Sequence, residues 1–348
     1  MTVRPFGMLP DGSQVDLYSL TAGGVVLETI SYGGIISSLK IPDRHGTSAD
    51  VVLGHDALEP YLRNSSYFGG IIGRYANRIA NGRFVLDGVE HQLAQNDGRH
   101  HLHGGHKGFD RHRWDGSPMT STDGVGVMFT RTSPAGEEHY PGTLACSVTY
   151  LVLSPATVEV RYDAVTDAPT IINLTQHSYF NLAGETSTSV LDHELTIHAD
   201  YYTPVDATLI PTGQVASVNG SPFDLRQPTV LGRAVTAPHA QLSAAGGFDH
   251  NFVLQRTTGL APAATLRDPQ SGRVLQISTS EPGIQFYSGH LLDGTTTGAY
   301  GRVFERHAGL CLETQHYPDS PHRANFPSVE LRPGERYHST TRWEFLTD

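Results

Sequence analysis

Apolar and polar positions alternate in short runs along this chain. In the segment Val158 to Val165 the apolar side chains recur at every second position, and Leu195, Ile197 and Ala199 repeat the pattern after His193. Period two predicts half-buried strands, because successive side chains of a strand point to opposite faces. Phe84-Val85-Leu86 and the run Val89 to Leu93 flank Asp87-Gly88, a pair able to supply the two positive φ angles of a type I′ turn, so this segment predicts a hairpin. The stretch Asp268 to Gly272 predicts a second turn, set between Ala264–Leu266 and Val274–Ile277. A short helix is expected from Asp56 as N-cap through Leu58, Tyr61 and Leu62. Glycine (37) and proline (21) punctuate these runs, as in an all-β protein. No composition break, low-complexity linker or fixed-period repeat divides the chain. The expectation is one domain over residues 1–348, all-β, folded as a large antiparallel β-sandwich with few short helices. A barrel is the alternative that pattern leaves open.

Charge narrows the partners. With 24 basic and 35 acidic residues the net charge is −11, which argues against nucleic acid or an anionic membrane, since either calls for a basic face. No apolar run approaches the roughly 20 residues needed to cross a bilayer, and Met1 to Asp11 carry no basic-then-apolar leader, so the reading is a soluble, cytoplasmic protein. Cys146 and Cys311 are far apart in sequence and do not indicate a disulfide framework.

Several chemistries are absent: there is no G-x-S-x-G elbow, no phosphate loop and no dinucleotide fingerprint. His193-Glu194 and His198 mimic a zinc-protease helix, but three residues separate Glu194 from His198 where that motif has two, and the segment alternates like a strand with its histidines exposed. In the run His100 to His106, His101 and His103 would share one side of a strand, as a cupin-type pair does. No glutamate follows before Glu137, and Asp110 is the first carboxylate after the run, so a polar histidine at a cleft is the better reading and no metal is expected.

Four clusters set strongly polar residues against glycines and apolar residues, as a polar cleft requires. They are Gly73 to Arg83, Asn173 to Gly184, Gly247 to Val253, and Cys311 to Asp319. Together with Leu102-His103-Gly104-Gly105, Gly108-Phe109-Asp110, Trp114 and the run Gln285 to Gly289, in this order and spacing, the sequence resembles the aldose 1-epimerase (galactose mutarotase) family from its first strands to its last. The resemblance implies a large β-sandwich of antiparallel strands that interconverts the α and β anomers of free aldohexoses such as glucose and galactose, without a cofactor. It implies His177 as the acid that protonates the ring oxygen and Glu313 as the base that takes the C1 hydroxyl proton. Asn77, Arg78, His103, Asp249 and Gln285, with Tyr179 as a weaker member, are implied in substrate binding. The partner is then a small-molecule aldose, and the protein a monomer or homodimer.

The residue chemistry agrees with that implication. Ring opening needs one proton taken from O1 and one given to O5, so a carboxylate and an imidazole on opposite sides of the sugar suffice. Arginine and asparagine donate to hydroxyl oxygens while aspartate accepts from hydroxyl hydrogens, both of which a polyol offers. Phe180, Phe286 and Tyr287 read as core. His112, His250, His316 and Arg74 read as structural, and Asp319 as a turn cap. Gln176 and His290 stand where the family often has asparagine, a difference bearing on sugar preference or packing. Two rivals remain at this stage: a hexose-6-phosphate 1-epimerase, for which Arg74, Arg83 and Arg111 leave room, and a non-catalytic carbohydrate-binding sandwich.

Overall fold

The structure, a computed structural model, describes the chain apart from residues 64, 65, 121, 123 and 256–258. The first strands form a five-stranded antiparallel meander, Thr2–Met8, Gln14–Ala22, Val25–Ile30, Ile36–Pro42 and Ser48–Asp50. A nine-stranded antiparallel sheet carries the long strands Gly124–Ser133, Leu144–Leu153 and Thr157–Thr166 in succession. The last strand, Tyr337–Thr347, runs through its middle, between Thr157–Thr166 and Arg273–Thr279. A six-stranded sheet has the order Tyr179–Phe180, Leu310–Gln315, Gly283–Tyr287, Asp249–Val253, Tyr201–Tyr202, Ala216–Ser217.

Alternation explains the layering. Leu310, Leu312, Ile284 and Phe286 share one core with Ile277 and Trp343 of the nine-stranded sheet. Phe180 meets Trp343 edge to face at 5.2 Å, and the hydroxyls of Thr314 and Thr341 are hydrogen-bonded across the sheets. Cys311, Glu313 and Gln315 therefore point to the other face of their strand. The nine-stranded sheet ends in two edges, Asp115–Thr120 and Thr229–Val230, so it is an open layer of a sandwich and not a closed barrel. The α-helices among the described residues span only Leu58–Arg63, Leu231–Val235 and Ala240–Ala245. None is long and apolar enough to cross a membrane.

The local expectations hold at the turns. Leu86 pairs with Val89 across Asp87 (φ 51°) and Gly88 (φ 78°), the positive pair that the hairpin needs. Ala261–Arg267 pairs with Arg273–Thr279 around the second turn, and the short helix begins at Leu58 with Leu58 and Tyr61 buried. Two details differ. Glu159 sits on the polar side of its strand yet is buried, because Arg161 and Arg342 fold over its carboxylate. His193, expected to be exposed, is also buried, its Nε2 accepting the Leu182 N–H at 3.0 Å.

Candidate active site

The outward face of the six-stranded sheet supplies the floor of a cleft. Cross-strand pairing sets Tyr179, Cys311, Tyr287 and Asp249 side by side in one row, and Glu313, Gln285 and Asn251 in the next. Register thus brings residues as distant in sequence as Tyr179 and Cys311 side by side, since facing Cβ atoms across an antiparallel pair lie roughly 4.5–5.5 Å apart.

Loops supply the walls. Thr175–Gln176 pairs with Ile71–Ile72, after which the His177 N–H donates to the Gly70 carbonyl at 3.0 Å. Arg78–Ile79 pairs with His101–Leu102, leaving Asn77 facing His103. There the His103 N–H donates to the Asn77 carbonyl, and the Asn77 N–H donates to His103 Nδ1, both at 3.1 Å. Because Nδ1 is an acceptor, the proton of neutral His103 is on Nε2, which makes it a donor toward a ligand. Tyr67, Asn77 and His103 adopt φ of 58°, 64° and 51°, a region unusual for residues with a Cβ, and all three line the cavity. Gly104 closes the turn behind His103 at φ 88°; a Cβ there would lie 1.8 Å from the Gly73 carbonyl oxygen.

Floor and walls enclose a cavity of about 310 Å³. Asn77, Arg78, His103, His177, Tyr179, Asp249 and Glu313 all line it. Gln285 does not: it is 2% exposed and lies beneath, its side-chain nitrogen donating to Asp249 at 2.7 Å while its carbonyl oxygen has no protein partner. His177 Nε2 is 3.8 Å from Glu313 Oε1, so the residues that the resemblance implies as acid and base stand next to each other, not on opposite sides of a ligand as expected.

Tyr67, Asp97, Tyr287 and Leu291 also line the cavity. Sequence reasoning passed over them. The Tyr67 ring packs 4.6 Å from the His103 ring and 5.8 Å from that of His177. Asp97 accepts from Arg78 Nε at 2.8 Å. Tyr287, expected in the core, lines the cavity because two-residue spacing from Gln285 puts it on the site face.

Burial disfavours charge throughout the site. It lowers His177 to about 4 and His103 well below the ordinary imidazole value, and it raises Glu313 well above the usual carboxylate range, with Asp249 adding to the rise. Asp249 is the exception. Burial pushes it up as well, but the Arg78 guanidinium and the Gln285 amide outweigh that, and it stays low and ionised. Arg78 is held by two carboxylates, Asp97 at 2.8 Å and Asp249 at 3.5 Å.

His103, His177 and Glu313 present three ligand atoms within 4.8 Å of one another, the one such cluster found among the described residues. His101 does not join them, its ring bonding the Ala94 carbonyl and the Tyr140 hydroxyl. The chain leaves the strand at Leu102, and the positive φ of His103 turns its side chain away from His101.

The residues read as structural lie outside the cleft. Arg74 spends its guanidinium on Ser133 and on carbonyls of Pro134, Pro141 and Gly142. His316 binds Glu281, His250 faces Gln241, and His112 lies between Lys107 and Glu137. Asp319 accepts from the Ala80 N–H, His322 and Arg323. Gln176 spans the Gly69 carbonyl and the Ser178 N–H, and His290 packs against Ser288 and Tyr287, so both differences from the family pattern bear on packing.

Comparison with known proteins agrees with this geometry. The aldose 1-epimerase family model matches residues 16–344. The galactose mutarotase of Sus scrofa is 47% identical over 99% of this chain and 98% of its own, and the aldose 1-epimerase of Escherichia coli (strain K12) is 36% identical over 98% of each. The crystal structure of galactose 1-epimerase from Lactobacillus acidophilus NCFM superposes with a TM-score of 0.88 at 28% identity, covering 99% of this chain and 98% of that one. With sequence, fold and a cleft built from the same segments all in agreement, the chain belongs to the aldose 1-epimerase family.

Proposed function

We propose that this protein interconverts the α and β anomers of free aldohexoses such as glucose and galactose, as a cofactor-independent isomerase. The observation that carries the reading is the adjacent pair, His177 Nε2 and Glu313 Oε1, 3.8 Å apart in a polar cavity. Glu313 takes the O1 proton while His177 gives a proton to O5. The C1–O5 bond opens, C1–C2 rotates, and the ring recloses on the other face with the roles exchanged. One proton shared by two groups is sufficient, and both groups return to their starting state.

Around the reacting edge, His103 Nε2–H and Arg78 donate to sugar oxygens, Asp249 accepts from sugar hydroxyls, and Asn77 and Tyr179 shape the wall. Gln285 acts through Asp249. We read residues 1–348 as one working domain, a view supported by the C-terminal strand lying inside the nine-stranded sheet. A cytoplasmic setting accords with two unpaired, buried cysteines.

The hexose-6-phosphate reading finds little support. Among the described residues Asp97, Asp249 and Glu313 line the cavity against a single arginine, Arg78, which Asp97 and Asp249 already engage, and Arg74, Arg83 and Arg111 do not line it. A phosphate dianion would meet an acidic wall. The test is polarimetry on freshly dissolved α-D-glucose, α-D-galactose and glucose 6-phosphate. Relaxation far faster than buffer for the free sugars, abolished in Glu313→Gln, supports the reading. Acceleration for the phosphate ester alone overturns the substrate, and none for any sugar leaves a binding protein.

A further inference from the structure

The nitrogen of His177 that faces away from Glu313 has a partner of its own. Cys311 Sγ lies 3.6 Å from His177 Nδ1, within hydrogen-bonding reach for sulfur. The thiol is fully buried and unpaired, two residues before Glu313 on the same face of the same strand. Its neighbours in the cross-strand row are Tyr179 and Tyr287, which wall it off from solvent. A histidine that gives and takes a proton at Nε2 must hold Nδ1 in one state throughout, because a proton migrating between the two nitrogens would disarm it.

We propose that Cys311 is a positioning residue for the reaction: its sulfur accepts the Nδ1–H of His177, which fixes the ring and leaves Nε2 as the nitrogen that exchanges the proton. The assignment rests on the His177–Glu313 chemistry above. Through the cycle the Nδ1 proton and the thiol proton stay where they are, and only the Nε2 proton moves, to O5 and back. A thiol suits the position for a physical reason. A carboxylate there would stabilise the imidazolium and hold the proton on His177, whereas a neutral sulfur orients the ring with a weak bond and does not anchor the proton. Burial, with the charges of Glu313 and Asp249 nearby, keeps the sulfur protonated.

The side chains facing His177 are Glu313, Asp249, His103, Tyr67 and Tyr179, none of them hydrogen-bonded to Nδ1, and the residue's own backbone also favours the charged ring. The test compares wild type, Cys311→Ser and Cys311→Ala by polarimetric kcat and KM, by the pH dependence of kcat, and by ¹⁵N NMR of the His177 ring, with thermal melts as a folding control. In the wild type the spectrum should show Nδ1 protonated whether Nε2 is bare or carries the exchanging proton. Alanine should lower kcat about five- to tenfold, the size expected for one lost hydrogen bond, with KM within about twofold. It should also move the pH limb that belongs to His177 and mix the tautomers. Serine, which keeps an acceptor, should restore most of the rate and the wild-type spectrum. A ring with Nδ1 bare and the proton on Nε2 alone overturns the proposal, as does alanine at wild-type rate with its tautomer intact, or serine no better than alanine. Glu313→Gln run alongside separates the two readings: full activity there removes the acid–base assignment, while the NMR still reports on the Cys311 contact by itself.

Discussion

Glu313 and His177 are both buried in the cleft, and burial, with the charge of Asp249 nearby, sets their protonation. On the proposed mechanism the pair works with one proton between its members; a second proton at low pH removes the base, and loss of the first at high pH removes the acid, so the rate profile should be a bell. Replacing Glu313 by glutamine should lower kcat by about 10²–10⁴-fold with a folded protein, read by polarimetry. Asp249 offers a sharper test, because its negative charge raises both members of the pair, favouring protonated His177 and disfavouring ionised Glu313. Asp249→Asn should therefore move both limbs of the bell to lower pH and also raise KM, since an acceptor for sugar hydroxyls is lost. A KM effect with both limbs in place would mean that Asp249 binds substrate without tuning the pair.

At the scale of elements, turns differ in what a side chain would meet. Gly88 (φ 78°) has open space around its missing Cβ, whereas at Gly104 (φ 88°) a Cβ would strike the Gly73 carbonyl. Gly88→Ala should cost about 1–2 kcal/mol of stability, the backbone penalty alone, with activity unchanged. Gly104→Ala should cost more and weaken sugar binding, because the turn it closes aims His103; thermal melts and KM measured on the two variants side by side test the distinction. The same contrast shows what was legible in the sequence. Asp87-Gly88 declares its hairpin because a type I′ turn is a local requirement, and the alternation from Val158 and from Leu195 declares strands because burial on one face is local too. Tyr67 and Asp97 carried no such signal, since each reaches the cleft through a loop whose partner, His103 or Arg78, is distant from any local pattern. Glu313 and His177 could be identified only through the family resemblance. Their 3.8 Å separation depends on register across the six-stranded sheet and on the loop bonded to Gly69 and Gly70, neither of which alternation specifies.

For the molecule as a whole, buried titratable groups set how stability follows pH. His101, His177, His193 and His250 are each lowered by burial to about 4 from 6.5. Between those values the unfolded chain binds protons that the folded one refuses, so each histidine makes stability rise with pH across the window of about 4 to 6.5. Asp110 works in the opposite direction. Burial raises it from 3.8 to about 7 despite Arg111 at 3.7 Å, so between those values the folded protein keeps a proton that the unfolded chain has released, and its contribution falls as pH rises. These histidines, with His103 and His112 lowered by burial as well, outnumber the raised carboxyls Asp50, Asp110 and Glu313 and leave a net rise in stability from pH 4 to 6.5. Asparagine at position 110 resembles the protonated acid and has no charge to bury. Asp110→Asn should therefore match wild type near pH 4, become progressively more stable as pH climbs, and level off above about 7 with an advantage on the order of 2–4 kcal/mol. Melting temperatures of the two proteins across that range measure it. A difference that is constant with pH would show that Asp110 acts through packing against Gly33 and Gly70, whose missing Cβ atoms it crowds, and not through its charge.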